Sequence, residues 1–330
     1  MTDQAGTCHV VDSLAAPGVG RDLPHIDISP SSRETFVHSC KKKFKYHKVD
    51  RLTCPRTDNY YPWLRFGHVI HALAEHYYRN VHAGIFDGLL GDVLGRKDGI
   101  IATIERCLLY MIPPGYETAI DGTYRQVIHN LACFEHDRMA RVDSIVDISD
   151  PANFQAYVVP ALVEQPENDY ARAHGIAYRL DVGFLLPAGF LNNRHPAICI
   201  GDFKTGAVPW SLDYQTPRAK DETREQMVFP IPWLVLGNSV SIVPDRVVAM
   251  YLKKEGGFVY EEVSDSDYLK LYNDLNDIQT ALSRDDFPVP VLGKFCGHCE
   301  YRFRCINDEG LASRIERKIG LKGDAWAAPL

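Results

Sequence analysis

Two aspartates and a lysine form the first group of residues that could do chemistry. Asp202 and Lys204 are separated only by Phe203, and residues two apart on a β-strand point to the same face. Asp181 interrupts the otherwise apolar run 180–183. Two carboxylates from adjacent strands and a lysine can bind Mg²⁺ or Mn²⁺ and position a water against a phosphodiester. We expect Asp181 and Asp202 to bind the metal and Lys204 to orient the water; the alternative is a salt bridge at a strand end.

Four cysteines form a second candidate site. Cys296, Cys299 and Cys305 have the spacing C-x2-C-x5-C, and Cys40 lies near the other end of the chain. Four thiolates bind either a [4Fe-4S] cluster or tetrahedral Zn²⁺, and the spacing does not decide between them. For zinc, His298 is a further ligand candidate. Four other cysteines are expected to be ordinary thiols: Cys8, Cys107, Cys133 and Cys199.

A basic and aromatic run, KKKFKYHK, follows Cys40 at 41–48, and Arg302, Phe303 and Arg304 repeat this chemistry inside the cysteine segment. Basic side chains neutralise phosphates and aromatic rings stack on bases, which suits single-stranded nucleic acid. If Cys40 and Cys305 bind one centre, the two patches converge. The alternative is a solvated helix face whose aromatic residues belong to the core.

Composition limits the class of protein. The chain has 330 residues, of which 45% are hydrophobic and 24% charged, enough for one large domain or a core with appendages. No apolar stretch of about 18 residues and no signal-peptide pattern occurs, so we expect a soluble, cytoplasmic protein without a membrane partner. Nine cysteines without an export signal favour thiols and metal thiolates over disulfides. The net charge of −7 is compatible with a local basic groove.

Periodicity divides the chain into regions. We expect a mobile leader at 1–29, a helical region at 30–150, a catalytic core at 151–286, and a cysteine segment with a tail at 287–330. Predicted helices cover 31–46, 61–79, 101–110, 123–139, 222–236 and 267–282. Predicted strands cover 157–164, 175–186, 197–204, 246–253 and 258–263. The first helix is expected to begin with a capping box in which Ser31 caps and Glu34 reaches back.

The combined motifs resemble those of the RecB-like exonuclease branch of the PD-(D/E)XK nuclease superfamily. That branch has a Gly-x-x-x-His helix, an aspartate on one strand, Asp-x-Lys-Thr-Gly on the next, and a glutamine on the following helix. Here Gly67, His71, Asp181, the run 202–206 and Gln226 occur in this order on the predicted element types. The resemblance spans about residues 30 to 306. It implies an α/β (α+β) restriction-endonuclease-like core with an N-terminal helical region and a C-terminal iron–sulfur segment.

The resemblance also implies roles for individual residues. His71 would be an additional metal ligand, Asp181 and Asp202 the core ligands, Lys204 the catalytic lysine, and Gln226 the residue that positions this lysine or the scissile phosphate. Beside these, Glu75 lies one helical turn beyond the histidine and could orient its imidazole; the alternative is a plain surface carboxylate. Glu164 could be a supporting acid, and the alternative is a solvated carboxylate at a strand end.

Family members with an iron–sulfur cluster carry one cysteine in an N-terminal helix and three after the core. Cys40 with Cys296, Cys299 and Cys305 resembles this arrangement and implies a [4Fe-4S] cluster; structural Zn²⁺ is the alternative. Many relatives have Cys-Pro at the first position, which makes Cys54 the substitute for Cys40. They also commonly have a tyrosine four residues after the glutamine, where this chain has Pro230.

Two functions follow as expectations. The first is a metal-dependent DNA exonuclease that digests single strands or ends in recombination, repair or phage replication, like AddB-type nuclease domains and the exonucleases of CRISPR systems and phages. The second is a non-catalytic DNA-binding or adaptor subunit of a larger helicase-nuclease or CRISPR-type complex. The sequence contains no Gly-x4-Gly-Lys-Ser/Thr loop, so ATP-driven unwinding would require a helicase partner.

Overall fold

A five-stranded mixed sheet organises the part of the chain that the structure describes. The computed structural model describes residues 26–52, 62–81, 97–110, 122–206, 208–209, 217–288, 296, 299–301 and 304–305. The strands are Leu162–Pro166 (β1), Arg179–Leu186 (β2), Ala197–Lys204 (β3), Pro244–Tyr251 (β4) and Phe258–Glu262 (β5). They lie side by side in this order; β3 and β4 run parallel, and the other neighbours are antiparallel.

Helices occupy most of the remaining described residues. Their bounds are Pro30–Glu34 (α1), Lys41–Phe44 (α2), Pro62–His76 (α3), Lys97–Tyr110 (α4), Gly122–Asp143 (α5), Pro151–Asn153 (α6), Asp169–Ala173 (α7), Asp221–Val228 (α8), Ile231–Leu236 (α9) and Asp265–Arg284 (α10). Single π-helical turns continue α1, α2, α3 and α6 at Thr35–Ser39, Lys45–Val49, Tyr77–Val81 and Phe154–Val158. No helix within the described ranges combines the length and the apolar character needed to cross a bilayer.

Strand β3 is buried on both faces because helices pack on both sides of the sheet. Cys199 and Phe203 belong to one hydrophobic cluster, which contains the buried residues of α3, α4 and α5. Ile198 and Ile200 point the other way and belong to a second cluster with α8, α9 and α10. Near-continuous hydrophobicity is typical of a strand covered on both faces. The sheet therefore separates two cores, and its central strand contributes to both.

Several predicted elements are confirmed within a few residues. The predicted strand 197–204 coincides with β3, and α3 with its π-helical turn covers the predicted helix 61–79. The predicted helix 222–236 is two helices, α8 and α9, because Pro230 and Pro232 interrupt the backbone hydrogen bonds. The predicted strand at 157–164 is wrong over its first half: 154–158 is a π-helical turn, and β1 begins at Leu162.

The start of the first helix also differs from the prediction. Ser29, not Ser31, caps α1, and the reciprocal partner is Ser32 rather than Glu34. The helix does not continue through Tyr46, since Cys40 is extended and caps the next helix, α2. Of the predicted leader, only 26–29 lie within the described residues; there Ile28 is buried and bridges to Ile176. The predicted leader is therefore wrong for residues 26–29, and residues 1–25 lie outside the described residues.

Candidate metal centre

The hairpin of β2 and β3 brings the two predicted aspartates together. Its register pairs Val182 with Gly201, so the next residues outward, Asp181 and Asp202, face each other across the strands. A side chain at Gly201 would not fit, because its Cβ would lie 2.7 Å from a Val182 methyl group. The backbone amide of Phe203 donates to Asp181 Oδ2 at 3.0 Å. Main-chain pairing and this hydrogen bond thus hold both carboxylates at one end of the hairpin.

Helix α3 brings His71 to the same point. The Nδ1 atom of His71 lies 3.3 Å from Asp181 Oδ1 and 3.7 Å from Glu164 Oε1, and its ring meets the edge of Phe203 at 5.8 Å between centroids. One ligand atom each from His71, Asp181 and Asp202 all lie within 4.8 Å of one another. Nitrogen and carboxylate oxygen donors at this spacing form a pocket that could hold a divalent cation.

Lys204 borders this pocket and is held from two sides. Its Nζ lies 2.8 Å from Asp202 Oδ2 and donates to Gln226 Oε1 at 2.7 Å. Gln226 in turn donates from Nε2 to Glu34 Oε2 at 3.0 Å. Two of the three N–H donors of the ammonium are engaged in this way, which leaves the third for an oxygen in the adjoining cavity.

Burial and mutual repulsion shape the ionisation of the cluster. Burial and the nearby Asp181 carboxylate raise the pKa of Asp202 to about 7, although Lys204 opposes this shift. Burial lowers the pKa of His71, but hydrogen bonds to Asp181 and Glu164 outweigh it and raise that pKa to about 10. The same imidazolium lowers the pKa of Asp181 against the effect of burial. Without a metal, a proton on His71 and the Lys204 ammonium therefore balance the carboxylates.

An open cavity of about 440 Å³ adjoins these side chains. His71, Asp181, Asp202, Lys204 and Gln226 all line it. Ser29 and Ser31 from the start of α1, Tyr178 and Pro230 also line the cavity. Pro230 lies at the position where the family that the motifs resemble commonly has tyrosine. The five predicted site residues therefore border one open space.

Glu164 contacts the histidine, whereas Glu75 matches its alternative interpretation as a surface carboxylate. Glu75 binds Arg79 at 3.0 Å and lies 3.6 Å from Arg179. Glu164 is only 7% exposed and pairs with Arg179 while it contacts His71. It is unpaired in the β1–β2 register and has a positive φ of 44°. Helical spacing pointed to Glu75, and this local backbone distortion had no sequence signal.

Glu34 is a residue of the site that sequence reasoning missed. It was predicted to cap a helix, yet it lies behind Gln226 in the chain of contacts that ends at Lys204. The residues Glu34 and Gln226 are far apart in the sequence, so no local spacing could indicate the contact. Asp181, Asp202, Lys204, Gln226 and His71 were all predicted, and the fold brings them together.

The cysteine segment packs against α2. Lys43 Nζ lies 3.0 Å from Glu300 Oε1, the rings of Tyr46 and Tyr301 are 5.8 Å apart, and the Tyr301 hydroxyl donates to the Leu52 carbonyl at 3.2 Å. These contacts join the N-terminal and C-terminal parts of the described chain. The predicted convergence of the two ends is confirmed for these residues; Cys54, His298, Arg302 and Phe303 lie outside the described residues.

The four predicted cysteines are half-buried, and none of the four is part of a disulfide. Burial raises the pKa of the Cys40 thiol, and the charge of Cys296 adds to this effect. Burial likewise raises the pKa of Cys299 to about 11, with a contribution from Cys40. All four cysteines lie in the described part of the chain, and no three of their sulfur atoms are within 4.8 Å of one another.

The aromatic rings of the basic run 41–48 belong to the core, as the alternative interpretation of this run predicted. Phe44 and Tyr46 are 0% and 2% exposed, so the expectation that they stack on bases is wrong. Two of its ammonium groups bind acids, since Lys43 pairs with Glu300 and Lys45 with Asp285. The rings anchor α2 to the core.

No family model matches the chain, and no curated protein matches it either.

Proposed function

We propose that this chain is a metal-dependent deoxyribonuclease of the RecB-like PD-(D/E)XK type that digests DNA from its ends. One observation carries the proposal: the ligand atoms of His71, Asp181 and Asp202 lie within 4.8 Å of one another, and Lys204 is 2.8 Å from Asp202 on the same cavity. A divalent cation and a lysine beside one open cavity are the minimum apparatus for hydrolysing a phosphodiester.

The order of the elements supports the nuclease type. A helix with His71 precedes three antiparallel strands, β2 carries Asp181, β3 carries Asp202 and Lys204, and α8 with Gln226 leads to β4, which is parallel to β3. This is the arrangement implied by the resemblance to the PD-(D/E)XK core. A strand-end salt bridge alone would not explain why a histidine and a second buried aspartate meet the same pair.

The donor set fits Mn²⁺ or Mg²⁺. Carboxylate oxygens suit both ions, and one imidazole favours Mn²⁺. When bound, such an ion acts as a Lewis acid and lowers the pKa of a coordinated water. His71, Asp181 and Asp202 would hold it. Lys204, held by Asp202 and Gln226, keeps one N–H donor for the attacking water or a phosphate oxygen and stabilises negative charge as it develops.

The test uses end-labelled single-stranded and double-stranded DNA with Mn²⁺ or Mg²⁺. Lys204→Met should lower cleavage by at least about 100-fold, because it removes a charged donor from the reacting centre. The matched control is Lys254→Met, an exposed lysine in the turn after β4, which should cut like the wild type. Cleavage by Lys204→Met at the control rate contradicts the proposal. DNA binding without cleavage by the wild type would instead favour the adaptor role.

We further propose that Cys40, Cys296, Cys299 and Cys305 hold a [4Fe-4S] cluster. The half-buried thiols and the contacts that join their two segments support a shared centre, and the resemblance favours a [4Fe-4S] cluster over structural Zn²⁺ at these four cysteines. Iron, sulfide and zinc analysis after anaerobic purification distinguishes the two; zinc without iron would refute the cluster.

A further inference from the structure

Helix α1 holds helix α8 through two consecutive pairs of side chains. Arg33 Nη1 binds Glu225 Oε2 at 2.8 Å, and the neighbouring Glu34 Oε2 accepts from Gln226 Nε2 at 3.0 Å. On its other side, Gln226 accepts from Lys204 Nζ at 2.7 Å. A continuous path of hydrogen bonds therefore runs from the first helix of the described chain to the reactive lysine.

We propose that Glu34 is a positioning residue for Lys204 and acts through the amide of Gln226. A glutamine amide has a donor end and an acceptor end. A carboxylate at Glu34 only accepts, and an ammonium at Lys204 only donates. A single orientation of the amide therefore satisfies both neighbours, with its NH₂ toward Glu34 and its oxygen toward Lys204. Without Glu34, the amide loses one of the two contacts that fix it and can move away from the ammonium.

The position of Glu34 is itself set by a buried ion pair. Arg33 is 3% exposed and binds both Glu225 on α8 and Asp274 on α10. Removing one partner of a buried, hydrogen-bonded pair is costly, so α1 does not shift readily along α8. Because the adjacent residue is held this firmly, Glu34 meets Gln226 in one geometry.

The contact between Glu34 and Gln226 lies only a few residues from Cys40, a candidate cluster ligand. The π-helical turn Thr35–Ser39 connects α1 directly to Cys40, which caps α2. The same short stretch thus carries one candidate cluster ligand and the residue that orients Gln226. The catalytic consequence of the inference rests on the proposed function, whereas the positioning of Lys204 does not.

A labelling experiment on the metal-free protein tests the positioning without any nuclease assay. Brief treatment with acetic anhydride and mass spectrometry give the acetylation rate of Lys204, with Lys254 of the same molecule as reference. Glu34→Ala should raise the rate at Lys204 about threefold, because the hydrogen bond from the ammonium to Gln226 is weakened but not removed. Glu34→Gln retains a carbonyl acceptor and should behave like the wild type. The matched control, Glu222→Ala, alters an exposed acid on α8 and should change nothing.

A double-mutant cycle asks whether Glu34 acts through Gln226. In a Gln226→Ala background the additional change Glu34→Ala should have no further effect on labelling, because the intermediary is already absent. An equal effect of Glu34→Ala in both backgrounds overturns the inference. So does a labelling rate in Glu34→Ala that matches Glu222→Ala.

Cleavage kinetics supply the second measurement. Glu34→Ala should lower kcat about 10- to 100-fold, the scale of a misplaced catalytic group, while KM changes less than about twofold. Glu34→Gln should recover most of kcat, which a general loss of folding would not allow. If the wild type does not cleave DNA, the proposed function fails while the labelling result still decides the role of Glu34. Normal kcat in Glu34→Ala would refute the catalytic part.

Discussion

Metal binding should release protons from this site, and the amount follows from its ionisation. With a pKa of about 10, His71 carries a proton at pH 7, and with a pKa of about 7, Asp202 is half protonated there. A metal ligand must be deprotonated. Binding of Mn²⁺ should therefore displace the whole proton from His71 and half a proton from Asp202.

The expected release is about 1.5 protons per Mn²⁺ at pH 7 and about 1.1 at pH 8. The affinity for Mn²⁺ should increase with pH, because a proton on His71 or Asp202 competes with the cation and is lost as the pH rises. One proton from His71 contributes a factor of about 10 in affinity per pH unit, and the titration of Asp202 contributes about twofold more between pH 7 and 8. The dissociation constant should therefore fall about 20-fold over this interval.

Isothermal titration calorimetry measures both quantities. Titrations of Mn²⁺ in buffers with different ionisation enthalpies give the number of protons released, and the pH series gives the affinity. In His71→Ala the release at pH 7 should drop to about 0.5 proton, because only Asp202 still titrates. His68→Ala changes an exposed histidine on the same helix and should retain the full release.

An affinity that does not depend on pH, with negligible proton release, would refute the reasoning. It would mean that the imidazolium keeps its proton when the cation binds, so that His71 is a neighbour rather than a ligand. Full release in His71→Ala would place the displaced proton on another group.

Three further predictions concern stability and cofactor content. Burial and the charge of Asp181 raise the folded-state pKa of Asp202 from 3.8 to about 7, so the ionised carboxylate destabilises the folded protein, and this effect is complete above pH 7. Asp202→Asn should therefore raise the Tm of the metal-free protein at pH 8 by about 2 to 4 °C. An unchanged or lower Tm contradicts this. Arg138 and Glu135 form a wholly buried ion pair at 2.8 Å. Arg138→Met should lower the free energy of unfolding, measured by urea denaturation, by about 3 to 5 kcal/mol. A decrease below about 1 kcal/mol would show that the Glu135 carboxylate finds another partner. Cys40→Ser should lose most bound iron in anaerobic preparations; full iron content would make another residue the fourth ligand.

The core of the candidate site was predictable because its signals are local. Asp202 and Lys204 share a face through the two-residue repeat of a strand, and β3 has a run of apolar residues that identifies it. Asp181 follows from the same logic one strand earlier. His71 and Gln226 needed the resemblance as well, since an isolated histidine or glutamine on a helix has no distinctive pattern.

The remainder depended on contacts that spacing does not encode. Glu164 reaches His71 through a backbone conformation with positive φ, which is uncommon for a residue with a side chain. Glu75 has the right helical spacing from the histidine, but two arginines bind it. Glu34 fulfilled the local pattern of a capping box, yet Ser29 and Ser32 cap the helix. In each case a tertiary contact outweighed a weak local preference.

The charge balance of the metal-free site explains how these acids can be buried together. Asp181, Asp202 and Glu164 would repel one another in a low-dielectric environment. The imidazolium of His71, the ammonium of Lys204 and the guanidinium of Arg179 each contact at least one of them. The positive charge of these three groups offsets the repulsion among the acids, so the fold can bring the acids together without a metal. If the cluster binds a divalent ion as proposed, the ion would replace the proton of His71.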